Sequence, residues 1–207
     1  MAENFSVWAL FGTSPAATMG LEARPGLSKS WKGGVIYCDP RTADLGCRAI
    51  LPNASAIEEL EASGLVFGDL AEYNKRRIEL GVPDGSRDMV VEKSILLENN
   101  FEQLNGVDWE KGCYVGQELT ARTKYRGLIK KRLMPVEFDG VTPATGTPIS
   151  LEGRDAGEIR SVQDNVGLAL LRLAKIEEAR ESGQPLIAED TRIIPKLPIW
   201  TLDNVNQ

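Results

Sequence analysis

From Leu128 onward the sequence changes texture. Short β-like runs follow one another (LIKKRLMPVEF, TPISL, AGEIRSV and VGLALLRL), punctuated by Pro143, Gly146, Gly153 and Gly167. Runs this short, separated by turn residues, must pair with one another. Closing the sheet on itself is the direct way to remove its unpaired edges. A short helix over Ala174–Glu181 interrupts the series. The expected boundary lies near 127–130, with 128–207 forming a small antiparallel β-barrel domain and 1–127 a separate mixed domain. The fold class is therefore α+β.

In the mixed part, Phe5 to Phe11 (FSVWALF) reads as a buried strand bounded by Gly12 and Pro15. Residues 13–33 are rich in Gly, Pro and Ser and read as a loop. Strands are expected at Val35–Cys38 and near Arg48–Leu51, with a turn at Asp39–Pro40 between them. Ser55 is placed to cap a helix over Ala56–Ala62, Glu58 to complete a capping box, and Gly64 to end it. Asp69 is placed to cap a second helix that Gly81-Val82-Pro83 stops. Residues 83–110 read as mostly irregular, with a short apolar stretch at Ser94–Leu97. A further helix is expected to start at Lys111–Gly112 and run toward Arg122.

Composition matters chiefly for the chemistry it removes. The chain has no histidine, which takes away the usual general base, the Ser-His and Cys-His pairs and the commonest metal ligand. Its three cysteines, Cys38, Cys47 and Cys113, form no C-x-x-C pair. So sparse and odd a set argues against a disulfide framework and a closed zinc site, and for a reducing compartment. The opening MAENFSVWALFG does not read as a signal or transit peptide, and no apolar run is long enough to span a bilayer. The expected location is a bacterial cytoplasm or, in a eukaryote, the mitochondrial matrix. A formal net charge of -6 disfavours general nucleic-acid binding.

The chemistry concentrates between Leu97 and Arg132, LENNFEQLNGVDWEKGCYVGQELTARTKYRGLIKKR. Cys113 follows a glycine at the expected helix start. There, unpaired N–H groups and nearby Lys111 would favour a thiolate. Gly112 and Gly116 leave backbone open to a ligand. Taken alone, these residues leave two readings open, a reactive or metal-ligating thiolate and a small buried hydrophobe. Gln117 either faces the same site or is an exposed amide. Glu118 and Arg122 have the spacing of a surface ion pair. Arg122, Lys124, Arg126, Lys130, Lys131 and Arg132 form a basic run with no acid inside it. That run suits an anionic ligand or acidic partner, or is a solvated face. Cys38 and Cys47 read as core residues.

The run Lys111-Gly112-Cys113-Tyr114-Val115-Gly116-Gln117-Glu118, with Arg122 following, resembles the signature of the YgfZ-type family, relatives of the glycine-cleavage aminomethyltransferase (GcvT, or T-protein). YNKRRIELGVPDGSRD before it, Leu97-Glu98-Asn99, Leu104-Asn105-Gly106-Val107, ELTARTKYRGLIKKRLMPV, Asp39-Pro40-Arg41 and Leu45-Gly46 extend the likeness over nearly the whole chain. They are most similar to the mitochondrial and alphaproteobacterial branch. The resemblance implies a T-protein-like folate-binding domain over 1–127, present in part, followed by the barrel. It implies tetrahydrofolate as cofactor and a role in maturing 4Fe–4S proteins alongside an A-type iron–sulfur carrier protein. It makes Cys113 the functional thiol and a ligand, shared with the partner, to a transient iron–sulfur cluster. Lys111, Gln117, Glu118 and Arg122 stand beside it. Tyr73, Glu98, Tyr114 and Gly116 are implied as folate contacts.

The family's members carry a long segment before the strand matched by FSVWALF, and this chain starts inside that domain. It is expected to be a truncated piece, a misassigned start or a natural half-protein. Its folate site is expected to be incomplete, and its uncovered apolar face to favour a homodimer. Two other functions compete with the assembly factor: a tetrahydrofolate-dependent aminomethyltransferase-like enzyme and a tRNA-modification factor. The signature is not the T-protein pattern, and the acidic balance disfavours direct RNA contact.

Overall fold

In a computed structural model of the chain, residues 4–127 and 129–198 are described. The chain divides into two units, Met1–Tyr73 and Asn74–Gln207.

The first unit is built on a four-stranded antiparallel sheet in the order β1-β4-β3-β2. Its strands are β1 (Phe5–Leu10), β2 (Ser28–Trp31), β3 (Gly34–Cys38) and β4 (Cys47–Pro52). Strand alternation sets the core. Cys47, Ala49 and Leu51 of β4 and Ile36 and Cys38 of β3 point inward, as a period of two requires. β1 is not a buried strand. It lies at the sheet edge with Phe5 44% and Val7 62% exposed, because an apolar run reads alike whether one face is covered or two. The expected loop over 13–33 contains a short helix, α1 (Pro15–Thr18), and β2. Lys32 and Gly33, both at positive φ (48° and 78°), join β2 to β3, the conformation of a two-residue hairpin turn.

Helix α2 (Ala56–Ala62) packs Ala56 and Leu60 onto this core. Ser55 makes no side-chain cap there. The capping box forms instead at α3 (Leu70–Glu79). The Ala71 N–H donates to Asp69 Oδ1 (3.0 Å) and the Asp69 N–H to Glu72 Oε2 (3.3 Å), so the two ends satisfy each other's donors.

In the second unit, six strands close into an antiparallel barrel of order β10-β5-β8-β7-β6-β9. They are β5 (Lys131–Asp139), β6 (Pro148–Leu151), β7 (Arg154–Gln163), β8 (Val166–Arg172), β9 (Leu186–Ala188) and β10 (Thr191–Pro195), with α5 (Leu173–Ser182) between β8 and β9. Val136, Ile149, Leu151, Ile159, Leu171 and Ile193 fill the interior. The register of β7 against β8 slips between Ile159 and Ser161, leaving Arg160 as the extra residue of a bulge. Outside the barrel, Ile78 packs with Leu133, Val166 and Leu168. Arg77 and Asp88 form a buried ion pair (2.8 Å) that Ser161 joins by hydrogen bonds to both.

Candidate functional site

Lys111 to Gly116 of the signature lie between a 3₁₀ turn (Leu96–Asn99) and α4 (Gln117–Tyr125), and Gln117, Glu118 and Arg122 lie on α4 itself. The helix begins at Gln117, not at Lys111–Gly112. Gly116, at φ +87°, occupies its N-cap position in a left-handed conformation that residues with a Cβ rarely adopt. Cys113 therefore stands in irregular chain before the first turn of the helix. Its thiol is free and exposed.

Side chains hold this irregular segment in place. Asp108 Oδ1 accepts the N–H groups of Glu110 (2.9 Å) and Lys111 (3.2 Å). The Trp109 indole donates to Glu102 Oε1 (3.0 Å), and Glu102 also pairs with Lys124. The Lys124 ammonium lies 4.2 Å from the centre of the Trp109 ring, whose edge meets Tyr125. Lys111 Nζ stands 5.2 Å from the Tyr114 ring centre. Gln117 Oε1 accepts the Tyr114 N–H at 3.4 Å, so this side chain serves the turn rather than the thiol. Glu118 and Arg122 make the expected exposed ion pair.

A cavity of about 380 Å3 opens beside the segment. Leu96, Leu97, Val107 and Leu119 supply apolar walls, and Lys111, Tyr114 and Gly116 also line it. The Tyr114 hydroxyl is buried with no hydrogen-bond partner among the described residues. A group in that state is costly unless something completes it. The cavity thus gathers three of the residues singled out in the sequence. Cys113, Gln117, Glu118 and Arg122 do not line it, and neither does Glu98, which is half-buried on the 3₁₀ turn.

Tyr73 belongs to the first unit. Its ring packs on Phe11 (5.6 Å between centres), and its hydroxyl accepts from Arg41 (3.4 Å) and Arg48 (3.3 Å). Both arginines also donate to Asp39. Burial pushes the Asp39 carboxyl up, but the hydrogen bonds from Arg41 and Arg48 outweigh it and hold it below the usual carboxylate range. In the sequence, Asp39-Pro40-Arg41 shows a turn and a family likeness, and no more. Its convergence with Arg48 and Tyr73 could be suspected from an acid beside a base, but not located.

Cys38 and Cys47 sit directly opposite each other on β3 and β4, both buried, and both free. Burial raises both thiols, Cys47 to about 11. That leaves Cys113 as the exposed thiol of the three. The basic run is not one open cationic face. Arg122 and Lys124 are paired to acids, and Arg132 is part-buried and donates to Asn100 Oδ1 (3.4 Å). Among the described residues no three His, Cys, Asp or Glu side chains gather as a metal site.

Residues 130–202 match the family model described as CAF17, C-terminal beta-barrel domain. The chain is 40% identical over 199 residues to the human protein named iron–sulfur cluster assembly factor IBA57, mitochondrial, covering 88% of this chain and 52% of that protein. It is 36% identical to the mouse protein of the same name, covering 91% and 53%. The chain thus spans about half the length of the curated relatives it matches. The crystal structure of the glycine cleavage system aminomethyltransferase T from Bartonella henselae superposes with a TM-score of 0.64 at 16% identity, covering 88% of this chain and 55% of that one. Signature, barrel and fold agree: the chain is a homologue of the IBA57 proteins, with a C-terminal barrel like that of CAF17 and the fold of the aminomethyltransferase.

Proposed function

We propose that the chain acts as an accessory factor in maturation of 4Fe–4S proteins, with Cys113 as its working thiol. The observation that carries this reading is the placement of Cys113. It is exposed and free in a braced irregular segment, while both other thiols are buried. The names of the human and mouse relatives support the assembly role.

In this reading the cluster is cargo. One thiolate cannot hold it, and no cluster of further ligands lies among the described residues, so a carrier of the A type supplies the rest. Cys113 loses its proton to solvent as its sulfur binds one iron. It regains a proton when the cluster leaves for the recipient. Val115, at 103%, and Leu119, at 63% exposed, offer the apolar surface on which a carrier could seat beside the thiol. Lys111 lies two residues before Cys113 and adds positive charge for the anionic cluster.

Tetrahydrofolate is our proposal for the cofactor. Bound, it supplies a reduced pterin able to carry one-carbon units. Tyr114 would offer its unpartnered hydroxyl, and Gly116 a backbone without Cβ, at the apolar cavity they line. The relatives are mitochondrial by name. For this chain we propose the mitochondrial matrix in a eukaryote and the cytoplasm in a bacterium. A homodimer through the first unit's exposed Val66 and Phe67 belongs to the same proposal, and light scattering on the purified chain checks it.

The test is transfer of a 4Fe–4S cluster from a loaded A-type carrier into an apo recipient enzyme, with the native chain and with Cys113→Ala. We expect at least a tenfold loss of stimulated recipient activity in the variant. Undiminished stimulation would overturn the role given to the thiol.

A further inference from the structure

A second cleft, of about 270 Å3, lies in the Asn74–Gln207 unit, lined by Asn74, Arg77, Arg87, Thr145, Arg160 and Ser161. Its floor is fully partnered. Asp88 accepts from Arg77 (2.8 Å), from the Asp84 N–H (2.7 Å) and from the Ser161 hydroxyl. Arg77 also donates to Asn74 Oδ1 (3.2 Å), Ser161 Oγ (3.1 Å) and the Val82 carbonyl (3.3 Å). This network spends its donors on itself and fixes the cleft.

The rim is different. Arg160 is the extra residue of the β7 bulge, and bulges redirect side chains and recur beside functional sites. Its side chain is only 17% exposed, with Nη1 2.9 Å from Glu158 Oε1. Its Nε is buried with no hydrogen-bond partner among the described residues. Arg87 donates to Asn74 Oδ1 (3.0 Å) and stays 3.8 Å from Asp84, half of its side chain in solvent. Glu158 and Asp84 thus steady the two guanidiniums from the side without exhausting their donors.

We propose that this cleft binds a phosphate-class oxyanion, with Arg160 and Arg87 as its charged donors and the Thr145 hydroxyl beside them. The lining comes from separate segments: α3, the loop after it, the turn before β6, and β7. Donors arriving from several directions suit a tetrahedral group better than the planar edge of a carboxylate. The volume exceeds what one phosphate ion fills, so a small phosphate monoester also fits. None of these residues belongs to the Cys113 segment or lines its cavity, so the inference stands independently of the maturation role.

The experiment is calorimetric titration of the whole chain with inorganic phosphate at constant ionic strength, sodium chloride making the balance. The expected result is one saturable site, with Arg160→Gln and Arg87→Gln each weakening it at least tenfold. Arg87 is half-exposed on a loop, so its variant folds whatever Arg160→Gln does; far-UV circular dichroism checks both. Glycerol 3-phosphate then separates the sources. Tighter binding than phosphate assigns a monoester, and equal binding assigns the free ion. Either sustains the proposal. No saturable heat with the native chain, unchanged affinity in both variants, or binding of citrate but not phosphate overturns it.

Discussion

In the barrel, each of the six strands has a hydrogen-bonded neighbour on both sides, and Ile149, Leu151, Ile159, Leu171 and Ala188 are at most 1% exposed. Between Asp108 and Gly116 no residue belongs to a helix or strand, and Lys111, Gly112, Cys113, Val115 and Gly116 are all exposed. The first region satisfies its backbone through closure and its side chains through burial. The second does neither, and rests on a few side-chain braces from Glu102, Asp108, Trp109 and Lys124. With Cys113 as the proposed working thiol, stability and function should be separable. We expect damage to the barrel to spare the thiol, and a change at the thiol to spare the fold.

The sharpest way to break this division is to cut the buried pair that joins α3 to the loop after it and, through Ser161, to β7. Asp88→Ala leaves Arg77 charged, buried and short of its partner, and should cost about 3–5 kcal/mol in urea unfolding. A cost near zero would mean that the network is not closed to water. Next is Leu171→Ala in the barrel interior. It removes a side chain that is 0% exposed and should cost about 2–5 kcal/mol, read from the same transition. In the signature segment the numbers should collapse. Glu118→Gln removes an exposed i, i+4 pair and should cost about 0.3–0.5 kcal/mol. Cys113→Ala should fall within about 0.5 kcal/mol of the native chain while stimulated cluster transfer is lost. A destabilisation as large as that of Leu171→Ala would show the thiol to be a packing group and erase the contrast.

The two regions were also unequally legible. The barrel strands follow from alternation and turn residues, because a period of two and a Gly or Pro stop act locally. β9 and β10 are short and escaped that reading. Lys32-Gly33 was readable as a hairpin turn but was masked by the Ser- and Gly-rich stretch around it. The sequence offers a capping box at both Ser55 and Asp69; the box forms at Asp69, where Glu72 reaches back, and only geometry chooses. In the signature segment the identity of the residues was plain and their arrangement was not. Gly116 in the left-handed region delays the helix to Gln117, which takes Cys113 out of its first turn and turns Gln117 toward Tyr114. The Asp39–Arg41–Arg48–Tyr73 and Arg77–Asp88–Ser161 groups join residues far apart in sequence, so no local spacing announces them.

The most direct measurement is alkylation of the native chain with iodoacetamide, mapped by mass spectrometry, with cluster transfer assayed on the same samples. The account predicts one alkyl group per chain, on Cys113, and activity falling in proportion to it, while Cys38 and Cys47 remain protected until the chain unfolds. Protection of Cys113 equal to that of the buried pair, or full activity in a chain completely alkylated at Cys113, would contradict it.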